Sequence, residues 1–532
     1  MASIIRNLKA KKSSGFDEIS CYLVQLSSHL IIDPLTHIIN ISLSTGEVPT
    51  KMKLAKIVPV FKSGEHVTVS NYRPISLLPA FSKILERIMY NRLLHFLSSN
   101  NTLYKHQYGF RPNHSTFHPI IHFLKDCASA NNKDISEHTL SLFCDLSKAF
   151  DVIDHDILLR KLDNYGIRGI AQHWFDSYLH NRKQFVNIMN YDSKQLDVLC
   201  GVPQGSILGP LLFLIYINDI CFSSNASLLS FADDTTMYLS SNSVKELFEN
   251  ANSSISSLYK WFCANQLYLN SKKTKYMLIT PPQKRIDSKD LSLCIGDQVL
   301  ERVGNHMPEK NVKFLGITID EHLTWKDHLK TMNSKISRVL FALKQTKNIL
   351  PKSSLVCLYN ALIQPYLTYG IQIWGYANPS ILKHTEIIQK RAIRIINNAS
   401  YNSHTEPLFK ANGLLKLVDL HEYHTILFMY DYIHENLPTS FKGIFTLNSE
   451  RNMTHVTRQS SLMHVPKSKN VFVSKLPPCH YPKLWNSWKI KIECNLPRHM
   501  FKYALKREML SKYSSYVKCN YFGCKDCSTC AK

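Results

Sequence analysis

Two adjacent carboxylates, Asp233 and Asp234, stand between the apolar, β-favouring halves of Leu228-Leu-Ser-Phe-Ala-Asp-Asp-Thr-Thr-Met-Tyr-Leu239. This spacing predicts strand, tight turn, strand. A structural turn ordinarily takes one Asp with a Gly, whereas two Asp side by side repel unless a cation or a base lies between them. The chemistry that repays the repulsion is a two-metal site, in which carboxylates hold Mg²⁺ ions about 3.5–4 Å apart against the attacking and leaving oxygens of a phosphoryl displacement. The bland alternative is a solvated turn. A third carboxylate weighs against it: in Leu140-Ser-Leu-Phe-Cys-Asp145, alternation up to Phe143 predicts a strand that delivers Asp145 at its end. With Asp145 beside Asp233 and Asp234, three carboxylates would converge on the metals.

Phe143-Cys-Asp-Leu-Ser-Lys-Ala-Phe-Asp151, Gly201-Val-Pro-Gln-Gly-Ser-Ile-Leu-Gly-Pro210 and Phe231-Ala-Asp-Asp234 resemble, in that order, motifs A, B and C of reverse transcriptases. The wording around them is similar to the non-LTR (LINE-type, jockey-like) retrotransposon lineage. Lys12-Ser-Ser-Gly-Phe-Asp17, Asn71-Tyr-Arg-Pro-Ile-Ser-Leu77, Gln107-Tyr-Gly-Phe-Arg-Pro112 and Phe314-Leu-Gly-Ile317 extend the match. By motif it covers roughly the first two thirds of the chain, and its specificity lies in the order of the blocks. The resemblance implies an α+β right-hand polymerase fold: an antiparallel palm sheet, α+β fingers and a helical thumb, followed by a mostly helical C-terminal region. Fingers and palm would occupy 1–320, the thumb 321–400 and the C-terminal region, with a terminal Cys cluster, 401–532. The implied activity is RNA-directed DNA synthesis from dNTPs, with an RNA template, a DNA primer at the target site, and two Mg²⁺, or Mn²⁺, on Asp145, Asp233 and Asp234.

Further roles follow from the same resemblance. Lys62 and Arg73 would hold the triphosphate of the incoming nucleotide. Arg73 suits this better, since a guanidinium stays charged and donates bidentately; read alone, it is a surface Arg before a Pro. Phe150 would lie under the nucleotide sugar and exclude a 2′-hydroxyl by its bulk; read alone, it is a core aromatic. Phe150 and Ala232 both disfavour an RNA-dependent RNA polymerase, which needs room at the first position and commonly has Gly at the second. Gln204 and Gly205 would pack against nucleotide and template base, with Ser206 as the N-cap of the next helix; the alternative is a plain strand-to-helix turn. Arg111 would contact template phosphate, or else lie in solvent. Lys272, Lys273 and Lys275 compete to protonate the departing pyrophosphate; the Lys-Thr pairing favours Lys273, and each is alternatively a solvated charge. Phe314, Leu315 and Gly316 resemble the primer grip, Gly316 admitting a close backbone.

Composition bounds the partners. The 532 residues allow about three domains or subdomains. Sixty-four Lys and Arg stand against 40 Asp and Glu, a net charge of +24. A polyanion is the natural counterpart. The charge is dispersed and interleaved with 11% aromatic residues, which favours a nucleic-acid track over a generic basic surface or tail. The N-terminus lacks the pattern of a signal peptide, and the apolar run 207–217 is too short to span a bilayer and contains Gly209 and Pro210. These features predict an intracellular ribonucleoprotein of nucleus or cytoplasm with no membrane partner. Most of the 14 cysteines are scattered as reduced thiols would be. Cys519, Cys524, Cys527 and Cys530 are clustered; four thiolates can close a Zn²⁺ site, although successive two-residue gaps hinder a single tetrahedron and a knuckle wants a His.

Periodicity predicts helices over 20–44, 78–97, 157–179 with a break at Gly166, and 244–264. Residues 54–62, 184–190, 195–200 and 312–319 read as β-segments. In 78–97, Lys83, Glu86, Arg87 and Arg92 fall on the polar face of an amphipathic core helix. From 325 to 398 the period is helical, with Lys330, Lys335, Arg338, Lys344, Lys347, Lys383, Lys390, Arg391 and Arg394 on polar faces suited to duplex backbone. No second acidic constellation follows. The expectation is a polymerase-bearing fragment whose endonuclease lies in a missing upstream domain or acts in trans. Its rival is a catalytically inactive RNA-binding relic or domesticated protein.

Overall fold

The alternating and β-branched runs become strands in the computed structural model, which describes residues 1–133, 135, 137–189, 191–282, 291–451, 462–489 and 494–514. Cys519, Cys524, Cys527 and Cys530 lie outside the described residues. In chain order the strands begin with β1 (Leu54–Phe61), β2 (Tyr72–Leu77), β3 (His138–Cys144), β4 (Leu146–Ser147), β5 (Lys183–Ile188), β6 (Tyr191–Asp192) and β7 (Leu196–Asp197). They continue with β8 (Ser227–Phe231), β9 (Asp234–Ser241), β10 (Tyr268–Leu269), β11 (Lys275–Ile279), β12 (Cys294–Ile295), β13 (Gln298–Val299), β14 (Glu301–Val303), β15 (Asn311–Phe314) and β16 (Ile317–Asp320). Helices Cys21–Leu26, Ser28–Thr45, Ala80–Ser99, His155–Asn164, Ile170–Leu179 and Val244–Ala264 occupy the segments expected to be helical. The architecture is mixed α and β.

The central sheet has the order β14-β11-β3-β9-β8, antiparallel except between β11 and β14. Its middle strand, β3, is buried along its whole length, and the period-2 geometry of a strand divides its side chains between two cores. Phe143 joins Leu229, Tyr238, Met277, Phe123 and Phe314 on one face. Leu140, Leu142 and Cys144 join Met237, Tyr276 and Leu278 on the other, with Phe248, Ile255 and Leu258 of the helix Val244–Ala264. That helix starts where Ser243 accepts the N–H of Glu246. The first core continues through Trp325 into the helices Lys326–Thr346, Pro379–Ile396, Leu417–Ile433 and Arg498–Ser511, so helices on both sides of residue 400 share it.

A second sheet, β2-β1-β5-β6 with β7 on β5, stands beside this. β1 pairs antiparallel with β2 through Val60↔Arg73 and parallel with β5. The helix Ala80–Ser99 buries Ile84, Leu85, Met89, Leu93 and Leu97 as expected, but Glu86 is no polar-face residue: it is 1% exposed. Residues 311–320 form not one β-segment but the hairpin β15–β16, turned by Leu315 and Gly316 at φ +46° and +86°. Among the described residues, no helix is long and apolar enough to cross a membrane.

Candidate active site

The register Phe231↔Asp234 leaves Ala232 and Asp233 as a two-residue turn between β8 and β9. Ala232 adopts φ +57°, as such hairpin turns require at their first position. β3 and β9 pair as far as Cys144↔Thr235. Asp145 and Asp234 are the next residues beyond that last pair, near enough for the charge of Asp145 to act on Asp234. The three carboxylates therefore share one end of the central sheet.

Their electrostatics follow from this crowding. Burial raises the pKa of Asp233, the charge of Asp145 raises it further, and Lys62 and Arg73 oppose the rise. Asp234 is raised to about 6, by the protein packed around it and then by Asp233 and Asp145. The Asp234 side chain is nonetheless open to solvent, crowded on one side and wet on the other. Among the described residues, no group of three or more His, Cys, Asp or Glu side chains is gathered closely enough to hold a metal ion. An open, oxygen-only set suits Mg²⁺, which takes one or two carboxylates and completes its shell with water and substrate phosphate rather than with an all-protein cage.

Asp145 is stitched to the turn before β11. Its carbonyl accepts the N–H of Asn270 at 2.8 Å, and its own N–H donates to Thr274 Oγ1 at 3.3 Å. That turn carries Lys273 Nζ to 3.9 Å from Asp145 Oδ2. Of the three competing lysines, Lys275 pairs with Glu301 at 3.2 Å and with Glu309, while Lys272 and Lys273 are both exposed.

Lys62 and Arg73 extend from the β1–β2 hairpin, both exposed, with Lys62 N–H donating to Asn71 O at 2.8 Å. The hairpin docks on the Gly201–Ser206 turn, where Ser76 N–H donates to Gln204 O at 2.7 Å. Gly205 has φ +118°, and a Cβ there would lie 2.9 Å from Ser76 O, so glycine is required by both backbone and space. Gln204 Nε2 donates to Asp151 Oδ1 at 2.8 Å. The same turn holds the segment after β3, since Val202 N–H donates to Phe150 O at 3.0 Å and Gly201 N–H to Ile153 O at 2.8 Å. The half-buried Phe150 ring stacks on Phe213 at 4.6 Å and meets the edge of Phe110 at 5.9 Å. Ser206 is not the N-cap of the following helix, Gly209–Ile217, which begins after Leu208. Its Oγ accepts the N–H of Gly209 at 2.9 Å, closing a turn within the approach to the helix.

Two expected contacts with nucleic acid are placed differently from the acids. Arg111 is half-buried and donates from Nη1 to the carbonyls of Tyr104 at 2.9 Å and Gln107 at 3.2 Å, bracing its own loop. The Phe314 ring lies in the core, 5.4 Å from Phe143, while Leu315 O accepts the Tyr369 hydroxyl at 2.6 Å and Gly316 faces the Tyr369 ring. Residues missed in the sequence are Asp151, whose pKa is raised by burial, and Glu86. Glu86 Oε1 accepts the Tyr178 hydroxyl at 2.8 Å, and Oε2 accepts Ile207 N–H at 2.7 Å, just beyond the glycine turn. Asp151 ends the first motif block and was legible there; Glu86 carried no local signal.

A family model described as reverse transcriptase (RNA-dependent DNA polymerase) matches residues 60–319. The chain is 31% identical over 422 residues to the probable RNA-directed DNA polymerase from transposon BS of Drosophila melanogaster, covering 75% of this chain and 44% of the relative. It is 28% identical over 441 residues to the RNA-directed DNA polymerase from mobile element jockey of the same species, covering 78% and 45%. To the jockey protein of Drosophila funebris it is 26% identical over 421 residues, covering 76% and 44%. The chain spans less than half the length of these relatives. The matched segment, just under half of the chain, is of the reverse transcriptase family and holds Asp145, Asp233 and Asp234, and the similarity to RNA-directed DNA polymerases of mobile elements continues beyond it.

Proposed function

We propose that this chain is an RNA-directed DNA polymerase of a non-LTR retrotransposon, extending a DNA primer on an RNA template. The observation that carries the reading is the arrangement at the end of the central sheet: Asp145, Asp233 and Asp234 together, with Lys62 and Arg73 near enough to act on Asp233. In this reading the central sheet is the palm, the β1–β2 hairpin and the helices around it are the fingers within 1–320, residues 321–400 are the thumb, and 401–532 form the C-terminal region.

Asp145, Asp233 and Asp234 would hold two Mg²⁺, or Mn²⁺, which when bound supply charge stabilisation for in-line phosphoryl transfer. Arg73 and Lys62 bind the triphosphate, their charges already acting on Asp233. Phe150 stands under the sugar, its ring held by Phe213 and Phe110, so a 2′-hydroxyl meets a braced wall. Gln204 and Gly205 floor the nucleotide site through their link to Asp151 and β2. Lys273 is the proton donor to pyrophosphate, being the lysine beside Asp145. Arg111 shapes the loop along the template from within, and Phe314 anchors the Leu315–Gly316 turn against which the primer lies.

Primer extension on poly(rA)/oligo(dT) with Mg²⁺ and dTTP tests this, beside an Asp233→Asn, Asp234→Asn double variant. Extension by the native chain that is lost in the double variant is the expected result. No extension, together with salt-sensitive RNA binding, would overturn it in favour of an inactive RNA-binding relic.

A further inference from the structure

The acidic turn is built from residues that do not favour it. A two-residue hairpin turn with φ > 0 at its first position wants Asn, Asp or Gly there, and this chain has Ala232 at φ +57°. A non-glycine residue in that conformation persists only where its surroundings over-determine it. The surroundings come from residues 106–109. Ser230 N–H donates to His106 O at 3.0 Å and Tyr108 N–H donates to Ser230 O at 2.8 Å, so this segment lies parallel along the outer edge of β8. At its end Gln107, 3% exposed, turns its carboxamide onto the backbone of Ala232. Its Oε1 accepts the N–H of Ala232 at 3.0 Å and that of Gly109 at 2.8 Å, and its Nε2 donates to Ala232 O at 3.4 Å. Gly109 makes the approach possible, for a Cβ there would fall 2.2 Å from Ala232 N.

We infer that Gln107 is a positioning residue for the acidic turn: its carboxamide locks Ala232 in the left-handed conformation and so sets the direction in which Asp233 and Asp234 leave the backbone. Arg111 belongs to the same device, since its bond to Gln107 O holds the segment in place. Gln107 touches no reacting group. It acts through Ala232, so its loss should reduce metal affinity and turnover while sparing nucleotide and RNA binding. The turnover arm rests on the polymerase reading; the metal arm does not.

The test uses the full chain as Gln107→Leu, Gln107→Glu and Gly109→Ala, with Asp233→Asn, Asp234→Asn as reference. Mn²⁺ affinity is read from the free-ion electron paramagnetic resonance signal, kcat and KM for dTTP from primer extension, and RNA affinity from filter binding. Removing the carboxamide leaves buried backbone groups unpaired, so Gln107→Leu is expected to bind Mn²⁺ and turn over about tenfold less well. KM for dTTP and the RNA Kd should stay within about twofold, because nothing they depend on has moved. Gln107→Glu keeps both acceptor bonds and recovers part of kcat, but its added charge beside the acidic pair should move the acid limb of the pH–rate profile upward. Gly109→Ala, with Gln107 intact, should reproduce the kcat loss by pushing the segment off the turn. Native Mn²⁺ affinity and kcat in Gln107→Leu would overturn the inference, as would a parallel loss of RNA binding and thermal stability, the mark of a merely structural residue. If Gln107→Leu does not fold, Gln107→Glu and Gly109→Ala decide the matter by the same readouts. A native chain that binds Mn²⁺ but does not extend a primer would sink the polymerase reading and leave the Mn²⁺ comparison to judge the clamp.

Discussion

Asp234 makes the site pH-sensitive in a direction that can be worked out. Its pKa in the folded chain is about 6, against an ordinary value of 3.8. Between those values the native state keeps a proton that the unfolded chain releases, so this group's contribution to stability falls as pH rises through that window. If Asp234 holds a divalent ion, as proposed, the ion must displace the proton, so its binding should strengthen as pH rises past 6 and release a proton when it occurs below. The expected outcome is a Mg²⁺-dependent rise in Tm that is full at pH 7.5 and small at pH 5; equal rises at both would show that Asp234 is not a ligand. Phe150 carries a second prediction at this scale. Phe150→Ala should admit ribonucleotides in primer extension, and unchanged sugar selectivity would remove Phe150 from the nucleotide site. The paired acids and the bulky ring were legible as single letters because their chemistry is local. The partners that hold them were not.

Among the elements, the joint between the β1–β2 hairpin, the Gly201–Ser206 turn and the helix Ala80–Ser99 brings Arg73 and Lys62 toward the acids. Gly201 has φ +82°, and a Cβ would lie 2.6 Å from Asp151 O. Gly201→Ala should therefore lower stability by about 1–3 kcal/mol through backbone strain and the displaced neighbour. Glu86→Leu should cost about 1–3 kcal/mol as well, because Ile207 N–H and the Tyr178 hydroxyl lose their acceptor inside the protein. Glu86→Gln, which keeps an acceptor, should fall nearer the native chain. Urea denaturation monitored by fluorescence measures all three, and native midpoints would show that the joint does not depend on these contacts. The strands and helices that meet here were legible from alternation and helical period. Glu86 was misplaced because period assigns a face, and a face that is polar in sequence can still be covered by another element.

For the whole molecule, charge and core tell different stories. The net charge of +24 is spread along the chain, while Lys330, Lys335 and Arg338 on the helix Lys326–Thr346 come together with Thr331, Ser334, Asn311 and Asp327 around a groove of about 400 Å³. If these cations meet phosphate, Lys330→Ala, Lys335→Ala, Arg338→Ala should flatten the slope of log K against log salt for RNA–DNA duplex binding by about two to three. An unchanged slope would place the duplex elsewhere. Sequence alone determined the kinds of residue present and their spacing: three carboxylates at strand ends, glycines in the turns that need them, a period that changes from two to helical near residue 325. Those are short-range properties, written in neighbours. Tertiary structure decided the rest: Gln107 on Ala232, Glu86 on Ile207 and Gln204 on Asp151 join positions 125, 121 and 53 residues apart. A hydrogen bond across such a distance depends on strand register and on how one element docks upon another, and neither leaves a periodic trace along the chain.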